Sequence, residues 1–160
     1  MHKFHCAELD FKIYISQSIV DELFSHRQTH CFSKESGAML FPNNLNDSEI
    51  EINKITTPGS TDLRKRNYFK LDEKKAKEDI ISLFKQGFHY LGDWHTHNEG
   101  MASPSGTDIR SIQDLFIKSG HTRPFFLMLI IPNNENISHC YLSAADGKML
   151  YKFTYQKPNK

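Results

Sequence analysis

The chain has 160 residues, of which 38% are hydrophobic and 24% are charged, and its formal net charge is +1. This length and composition suit a globular protein with a substantial core, and we expect one domain over residues 1–160. The balanced charge provides no general attraction to nucleic acids or anionic membranes, and no apolar run is long enough to cross a bilayer. The N-terminus lacks the apolar segment of a signal peptide, which predicts a cytoplasmic protein.

Strands and helices alternate along the first third of the chain. The spacing of apolar residues predicts a strand at 11–16 and an amphipathic helix at 18–26. A short apolar strand at 36–41 precedes a Pro-Asn-Asn turn. Residues 49–57 alternate in polarity until the pattern slips at Ile55, which indicates a bulged strand.

The middle of the chain contains a predicted helix with clear end signals. Residues 59–66 are typical of a loop, and residues 67–71 are compatible with a short strand. Asp72 suits the N-cap of a helix that ends at Gln86, where Gly87 supplies a stop. Four apolar residues are expected to form its buried stripe: Ala76, Ile80, Leu83 and Phe84.

The last part of the chain predicts the remaining layers of a sandwich. A strand at 88–97 is followed by a helix at 105–119. Residues 125–131 are apolar on both faces, which predicts a central strand, and segments 137–143 and 148–155 form a predicted hairpin. The mixture of alternating and hairpin-like elements favours an α/β sandwich with a mixed sheet.

A candidate metal site lies where the predicted strand 88–97 ends. His95 and His97 are two residues apart on a strand, so both imidazoles point to the same face. Each can reach one zinc ion at about 2.0–2.1 Å. Asp108 lies in the first turn of the next predicted helix and can complete a three-ligand site with one position left for water. The helix N-terminus adds positive potential there.

Each part of this pattern has a simpler explanation when it is taken alone. Ser105 and Asp108 also fit a helix N-cap followed by an acidic third residue. The sequence His-x-His also occurs on exposed strands without a metal. The combination of both parts, at this spacing and in this order of elements, favours the metal site.

A zinc hydrolase needs a general base, and Glu35 is the best upstream candidate. It stands at the start of a strand that then becomes apolar, where a carboxylate costs desolvation unless it is paired or used. The alternative is a surface glutamate at a strand end, paired with Lys34. Spacing alone favours that alternative.

Together these residues resemble the JAMM (MPN+) metalloprotease motif. That motif has a distant glutamate, then His-x-His, seven further residues and Ser-x-x-Asp. Here it corresponds to Glu35, to His95-Thr96-His97 and to Ser105-Gly106-Thr107-Asp108. The resemblance covers roughly residues 11–155 and implies the family fold, an α/β, cytidine-deaminase-like three-layer sandwich with a central mixed β-sheet flanked by helices.

The resemblance also implies roles for single residues. His95, His97 and Asp108 would bind Zn²⁺. Glu35 would hold and deprotonate the water and return the proton to the leaving amine, and Ser105 would donate to the oxyanion. The family usually has proline after the second histidine, whereas this chain has Asn98. We expect this difference to alter the rigidity of the loop without loss of the site.

The implied activity is that of a zinc metalloprotease acting as an isopeptidase. Family members cleave after the C-terminus of ubiquitin or a ubiquitin-like modifier. This chain most resembles the short bacterial deconjugases of antiphage operons, which contain E1/E2-like and cGAS-like nucleotidyltransferase proteins and where the target is a conjugated protein tail. The basic segment 61–69 is a candidate contact for such a tail by strand addition, or else a solvated charged loop.

Two other functions share the motif. One is a hydrolase that processes the C-terminus of a sulfur-carrier or ubiquitin-like protein in small-molecule biosynthesis. The other is a RadC-like, DNA-associated protein, which the near-neutral charge disfavours. We therefore expect no nucleic-acid partner and no membrane partner.

Overall fold

The computed structural model describes residues 1–159, which form eleven strands and three α-helices. The strands are β1 (His2–Cys6), β2 (Phe11–Ile15), β3 (Gly37–Phe41), β4 (Glu49–Ile52), β5 (Lys54–Ile55), β6 (Leu63–Lys65), β7 (Tyr68–Lys70), β8 (Gly92–Thr96), β9 (Phe126–Ile131), β10 (Tyr141–Ala145) and β11 (Leu150–Gln156). The helices are α1 (Gln17–Ser25), α2 (Glu73–Lys85) and α3 (Gly106–Lys118). Within the described residues, none of the helices has the length and apolarity needed to traverse a membrane.

Nine of the strands form one mixed sheet in the order β4-β2-β1-β11-β10-β9-β8-β3-β5. The β2–β4 and β8–β9 pairs are parallel, and the remaining pairs are antiparallel. The first and last strands meet in the interior of the sheet, where Lys3 of β1 is opposite Gln156 of β11. The two remaining strands, β6 and β7, form a separate hairpin.

The sheet is strongly curled. Its edge strands, β4 and β5, are separated in the chain by Asn53 alone. One residue spans no more than about 3.6 Å, so the two edges must approach each other. Ile52 and Ile55, from opposite edges, accordingly share one hydrophobic cluster with Leu23 of α1. Helix α1 therefore packs on the concave face of the sheet.

The convex face is covered by the other two helices. Leu83 of α2 packs with Met39 and Phe41 of β3, and Ile112 of α3 packs in a second cluster with Met128 of β9. Helices thus lie on both sides of a mixed sheet. The predicted α/β three-layer sandwich is confirmed.

The predicted helices agree with the structure within one or two residues at each end. Ser16, Asp72 and Ser105 are their N-caps, and each side chain accepts a hydrogen bond from a backbone N–H in the first turn. Strand β9 is buried at every position, as its uniformly apolar sequence predicts. Gly87 follows α2 with φ +88°, a conformation that glycine adopts without strain.

Other local predictions were wrong for identifiable reasons. Strand β1 was not predicted, because its pairing with the last strand is invisible to local patterns. Residues 49–57 are not one bulged strand, since β4 pairs with β2 and β5 with β3. The predicted loop at 59–66 contains β6. Phe84 is 62% exposed because α2 packs along a narrow face, and its ring instead makes an edge contact with His89.

Candidate metal centre

Strand β8 supplies one candidate ligand, His95, and runs directly into a second, His97. Its side chains alternate between the faces of the sheet. Trp94 and Thr96 are fully buried, and Trp94 belongs to the concave core. His95 and His97 therefore point to the convex side, toward α3. His95 is paired in register with Gly37 of β3 on one side and with Ile130 of β9 on the other, which fixes its position along the sheet.

A glycine lets β8 come close to β9. Gly92 has φ +147°, and a Cβ atom at this position would lie 2.0 Å from the carbonyl oxygen of Leu127. No other residue fits such an approach. Gly92 thus sets the start of the strand that carries His95 and leads into His97.

The start of α3 supplies the third candidate ligand. The Asp108 backbone N–H donates to Ser105 Oγ at 3.1 Å, and the Ser105 backbone N–H donates to Asp108 Oδ2 at 2.8 Å. This reciprocal pair is a capping box. The simpler explanation of Ser105 and Asp108 as a helix cap is therefore correct, and the same cap holds the Asp108 carboxylate toward the histidines.

The three groups converge on one point. Asp108 Oδ2 lies 3.3 Å from His95 Nε2 and 3.1 Å from His97 Nε2. The two Nε2 atoms are 3.1 Å apart. Tetrahedral ligands bonded to zinc at 2.0–2.1 Å are about 3.3 Å from one another. The spacing and the donor types therefore fit a zinc ion with three protein ligands and one open position.

The electrostatics of the group favour cation binding. Burial alone would raise the pKa of Asp108, but hydrogen bonds from His95 and His97 lower it well below its usual range. Burial lowers the pKa of His97, but the nearby carboxylates, Asp108 foremost, outweigh this and raise it. Asp108 is thus ionised at neutral pH, which metal coordination requires.

Glu35 lies beside this group, although it is 60 residues away from His95 in the chain. It is 8% exposed, and its Oε1 lies 4.0 Å from His97 Nε2. Burial raises the pKa of Glu35 to about 7, with Asp108 adding to this effect and His97 opposing it. A carboxyl group with such a pKa can accept and return a proton near neutral pH.

The backbone around Glu35 is anchored on two sides. Thr96, between the two histidines, donates from its N–H to the Ser36 carbonyl at 2.8 Å, and its Oγ1 accepts from the Ser36 N–H at 2.9 Å. On the other side, the Glu35 N–H donates to the Lys65 carbonyl at 2.8 Å. The Arg64 Nε donates to the Glu35 carbonyl at 2.9 Å. The hairpin β6–β7 therefore packs directly against the candidate base.

Two residues of the site surroundings were missed or underestimated by sequence reasoning. Arg64 also donates a hydrogen bond to Ser36 Oγ at 2.7 Å. The sequence indicated Arg64 only as a member of the basic segment 61–69. Asn98 donates to the His30 carbonyl and accepts from the Asn133 side chain, both at 3.1 Å. These bonds fasten the loop after the histidines to two other loops, in place of the stiffening that proline would give.

The fold and this ligand group define a class of protein. It is an α/β sandwich in which a central strand and the N-terminus of the neighbouring helix bring together His95, His97 and Asp108, a group that could hold a metal ion. The family described as prokaryotic homologs of the JAB domain matches residues 16–143. The chain belongs to this family, which confirms the resemblance to the JAMM motif.

Similar proteins support the same assignment. An Escherichia coli protein named CD-NTase/cGAS isopeptidase is 36% identical over 107 residues, which is 65% of this chain and 68% of the relative. A Vibrio cholerae protein of the same name is 33% identical over 107 residues, with the same 65% and 68% coverage. The solution structure of a Desulfitobacterium hafniense protein has a TM-score of 0.63 at 19% identity, covering 88% of each chain, and supports the fold.

Proposed function

We propose that this protein is a zinc-dependent isopeptidase that cleaves the bond after the C-terminus of a conjugated protein. The target is a CD-NTase/cGAS-like protein joined to another molecule by an E1/E2-like system, in bacterial antiviral defence. The convergence of His95, His97 and Asp108 beside the buried Glu35 is the observation that supports hydrolysis. The relatives named CD-NTase/cGAS isopeptidases support the choice of target.

His95, His97 and Asp108 would hold the ion. When bound, zinc acts as a Lewis acid and lowers the pKa of a coordinated water to about 7. Glu35 accepts a proton from the attacking water and returns it to the leaving amine. Its anchored backbone keeps the carboxylate on the same side of the site during both transfers.

Ser105 stabilises the oxyanion that develops on the scissile carbonyl. Its Oγ accepts from the Asp108 N–H, and a hydroxyl that accepts can still donate its own proton. The N-terminus of α3 adds a positive potential at the same place. The helix cap therefore serves both the ligand Asp108 and the oxyanion.

The hairpin β6–β7 is the proposed contact for the substrate tail. It lies against Glu35 through Lys65 and Arg64. Two of its apolar side chains, Leu63 and Tyr68, are 48% and 41% exposed. An extended C-terminal tail can add to such a strand through backbone hydrogen bonds, and this would place its last peptide bond next to the base.

The metal is tested by measuring zinc in the purified protein and in the His95→Ala and Asp108→Ala variants. We expect about one zinc per wild-type chain and loss of zinc in both variants. Glu51→Ala, which changes an exposed residue of β4, is the control for the loss of a side chain. Full zinc occupancy in both ligand variants would overturn the site.

The substrate is tested with two fusions that carry the same reporter after their C-terminus. One contains a CD-NTase from the same genome, and the other contains a ubiquitin-like modifier. We expect chelator-sensitive release of the reporter from the CD-NTase fusion, with mass spectrometry locating the cut at its last residue. Preferential cleavage of the ubiquitin-like fusion would replace the proposed target with a modifier.

A further inference from the structure

We propose that Glu99 is a positioning residue for the metal centre: when Nε2 of His97 binds the ion, the Glu99 carboxylate accepts the hydrogen bond from Nδ1–H and holds the ring in place. This inference rests on the proposed zinc site. It assigns a role to a residue that lies outside the Glu35, His-x-His and Ser-x-x-Asp pattern.

The His97 ring lies between two carboxylates. Its Nε2 faces Asp108 Oδ2 at 3.1 Å, and its Nδ1 is 3.2 Å from Glu99 Oε1. His97 is 8% exposed. Within residues 1–159, its buried Nδ1 makes no hydrogen bond of good geometry to any group. Glu99 Oε1, at 3.2 Å, is thus a carboxylate oxygen within reach of this unpaired nitrogen.

Glu99 is itself held in place by its own loop. Its Oε2 accepts a hydrogen bond from Ser103 Oγ at 3.0 Å, and its backbone carbonyl accepts from the Asn133 N–H at 2.8 Å. The neighbouring Asn98 is fastened to the same residue, Asn133, through its side chain. One contact thus holds the Glu99 carboxylate and a second holds its backbone, and neither involves the histidine.

The chemistry of imidazole explains why a carboxylate beside Nδ1 matters for metal binding through Nε2. A neutral imidazole carries one N–H, and coordination through Nε2 requires that the proton be on Nδ1. An acceptor at Nδ1 stabilises that tautomer and fixes the orientation of the ring. Without Glu99, the buried Nδ1–H of His97 would lack a partner, which penalises the tautomer that binds metal.

Zinc affinity measured by competition with a chromophoric chelator tests the proposal. We expect Glu99→Ala to weaken zinc binding about 10–100-fold. Glu99→Asp keeps the charge but shortens the side chain, and it should weaken binding to a similar degree. Glu99→Gln retains an oxygen acceptor and should recover most of the affinity. Ser103→Ala removes only the contact to Oε2 and should have the smallest effect.

A spectroscopic measurement on the zinc-loaded protein gives a readout independent of affinity and activity. In wild type, the His97 Nδ1–H proton should be shifted downfield and should exchange slowly with water. In Glu99→Ala it should move upfield and exchange faster, whereas in Glu99→Gln it should stay protected.

The outcomes separate this inference from the proposed function. If the wild type binds no zinc, the metal centre fails and the role of Glu99 fails with it. If the wild type binds zinc but Glu99→Ala binds it equally well, only the role of Glu99 is overturned. The role of Glu99 would also be overturned if Glu99→Gln bound zinc as weakly as Glu99→Ala and the Nδ1–H signal were unchanged in both variants.

Discussion

The two faces of the curled sheet differ in how they are built. The concave face around α1 has one continuous apolar core that receives side chains from both edges of the sheet. The convex face has two smaller clusters, one under α2 and one under α3. Strand β8 contributes to both, with Trp94 on the concave side and Asp93 and His95 on the convex side.

This difference shows how a small protein can tolerate a polar site. Carboxylates and imidazoles removed from water are costly unless they are paired, and the raised pKa values of Glu35 and Asp93 reflect this cost. The apolar burial on the concave face stabilises the same strands from behind. We therefore expect substitutions in the core on the concave face to lower stability. Substitutions of the site residues on the convex face should mainly lower activity.

The largest effect on activity is expected from Glu35→Gln. Loss of a general base typically costs about 10²–10⁴-fold in rate. We expect kcat/KM to fall by about 10⁴-fold, since Glu35 would serve both proton transfers in the proposed reaction. Zinc content and the free energy of unfolding should not fall, since the neighbours Arg64 and Lys65 bind only its backbone. Steady-state kinetics with Glu51→Gln as control measures this, and substantial residual turnover would contradict the assignment.

Trp94→Ala tests how much the core on the concave face contributes to the free energy of unfolding. The indole is fully buried, and its Nε1–H donates to the Thr56 carbonyl at 3.0 Å. Removing it should lower the free energy of unfolding by about 3–5 kcal/mol, while the folded protein still binds zinc. Phe84→Ala, at an exposed aromatic residue, should change stability by less than about 0.5 kcal/mol. Urea titrations of both variants make the comparison, and equal losses would refute the assigned difference.

Ser105→Ala separates its two roles on the convex side. Loss of one oxyanion donor should lower kcat about 10²–10³-fold, and loss of the helix cap should cost about 1 kcal/mol of stability. Ser16→Ala removes the comparable cap of α1 and should cost stability without affecting kcat. A Ser105→Ala enzyme with an unchanged rate would reduce this residue to a helix cap.

The pH dependence of stability tests the cost of the partly buried Asp93 carboxylate. Burial raises its pKa from 3.8 to about 6, although the hydrogen bond from the Tyr90 hydroxyl opposes this. The folded state then binds the proton more tightly than the unfolded state. The resulting stability is complete below pH 4 and is lost as the pH rises through 6, by up to about 3 kcal/mol.

Asp93→Asn cannot ionise and keeps an oxygen for Tyr90. The difference in unfolding free energy between the metal-free wild type and this variant should therefore shift by up to about 3 kcal/mol between pH 3.5 and 6.5. Asp47→Asn, in an exposed turn, controls for the loss of a carboxylate. A difference that is constant over this range would show that Asp93 is not desolvated as described.

Local sequence signals predicted the parts of the site that are local. The caps at Asp72 and Ser105 give the helix starts because the capping atoms are within three residues. The strand period places His95 and His97 on one face. The spacing and the order of elements favoured Asp108 as the third ligand. Its distance from the histidines depends on where the intervening loop returns, which local patterns do not give, and the family resemblance strengthened the prediction.

The features that could not be predicted depend on distant partners. The pairing of β5 with β3 and of β1 with β11 joins segments far apart in the chain. The position of the hairpin β6–β7 depends on hydrogen bonds from Arg64 to residues before β3. Glu99 carries no pattern of its own, since a glutamate in a polar loop is common, and only its distance from His97 marks it.

The pairing of β1 with β11 has a consequence for how the chain acquires its structure. Without β11, the sheet falls into two separate parts, β4-β2-β1 and β10-β9-β8-β3-β5. The join is made by residues 3–5 with residues 154–156, so it cannot form until residues 154–156 have been synthesised. Because contacts between such distant segments form slowly, we expect the closure of the two parts into one sheet to be a late step of folding.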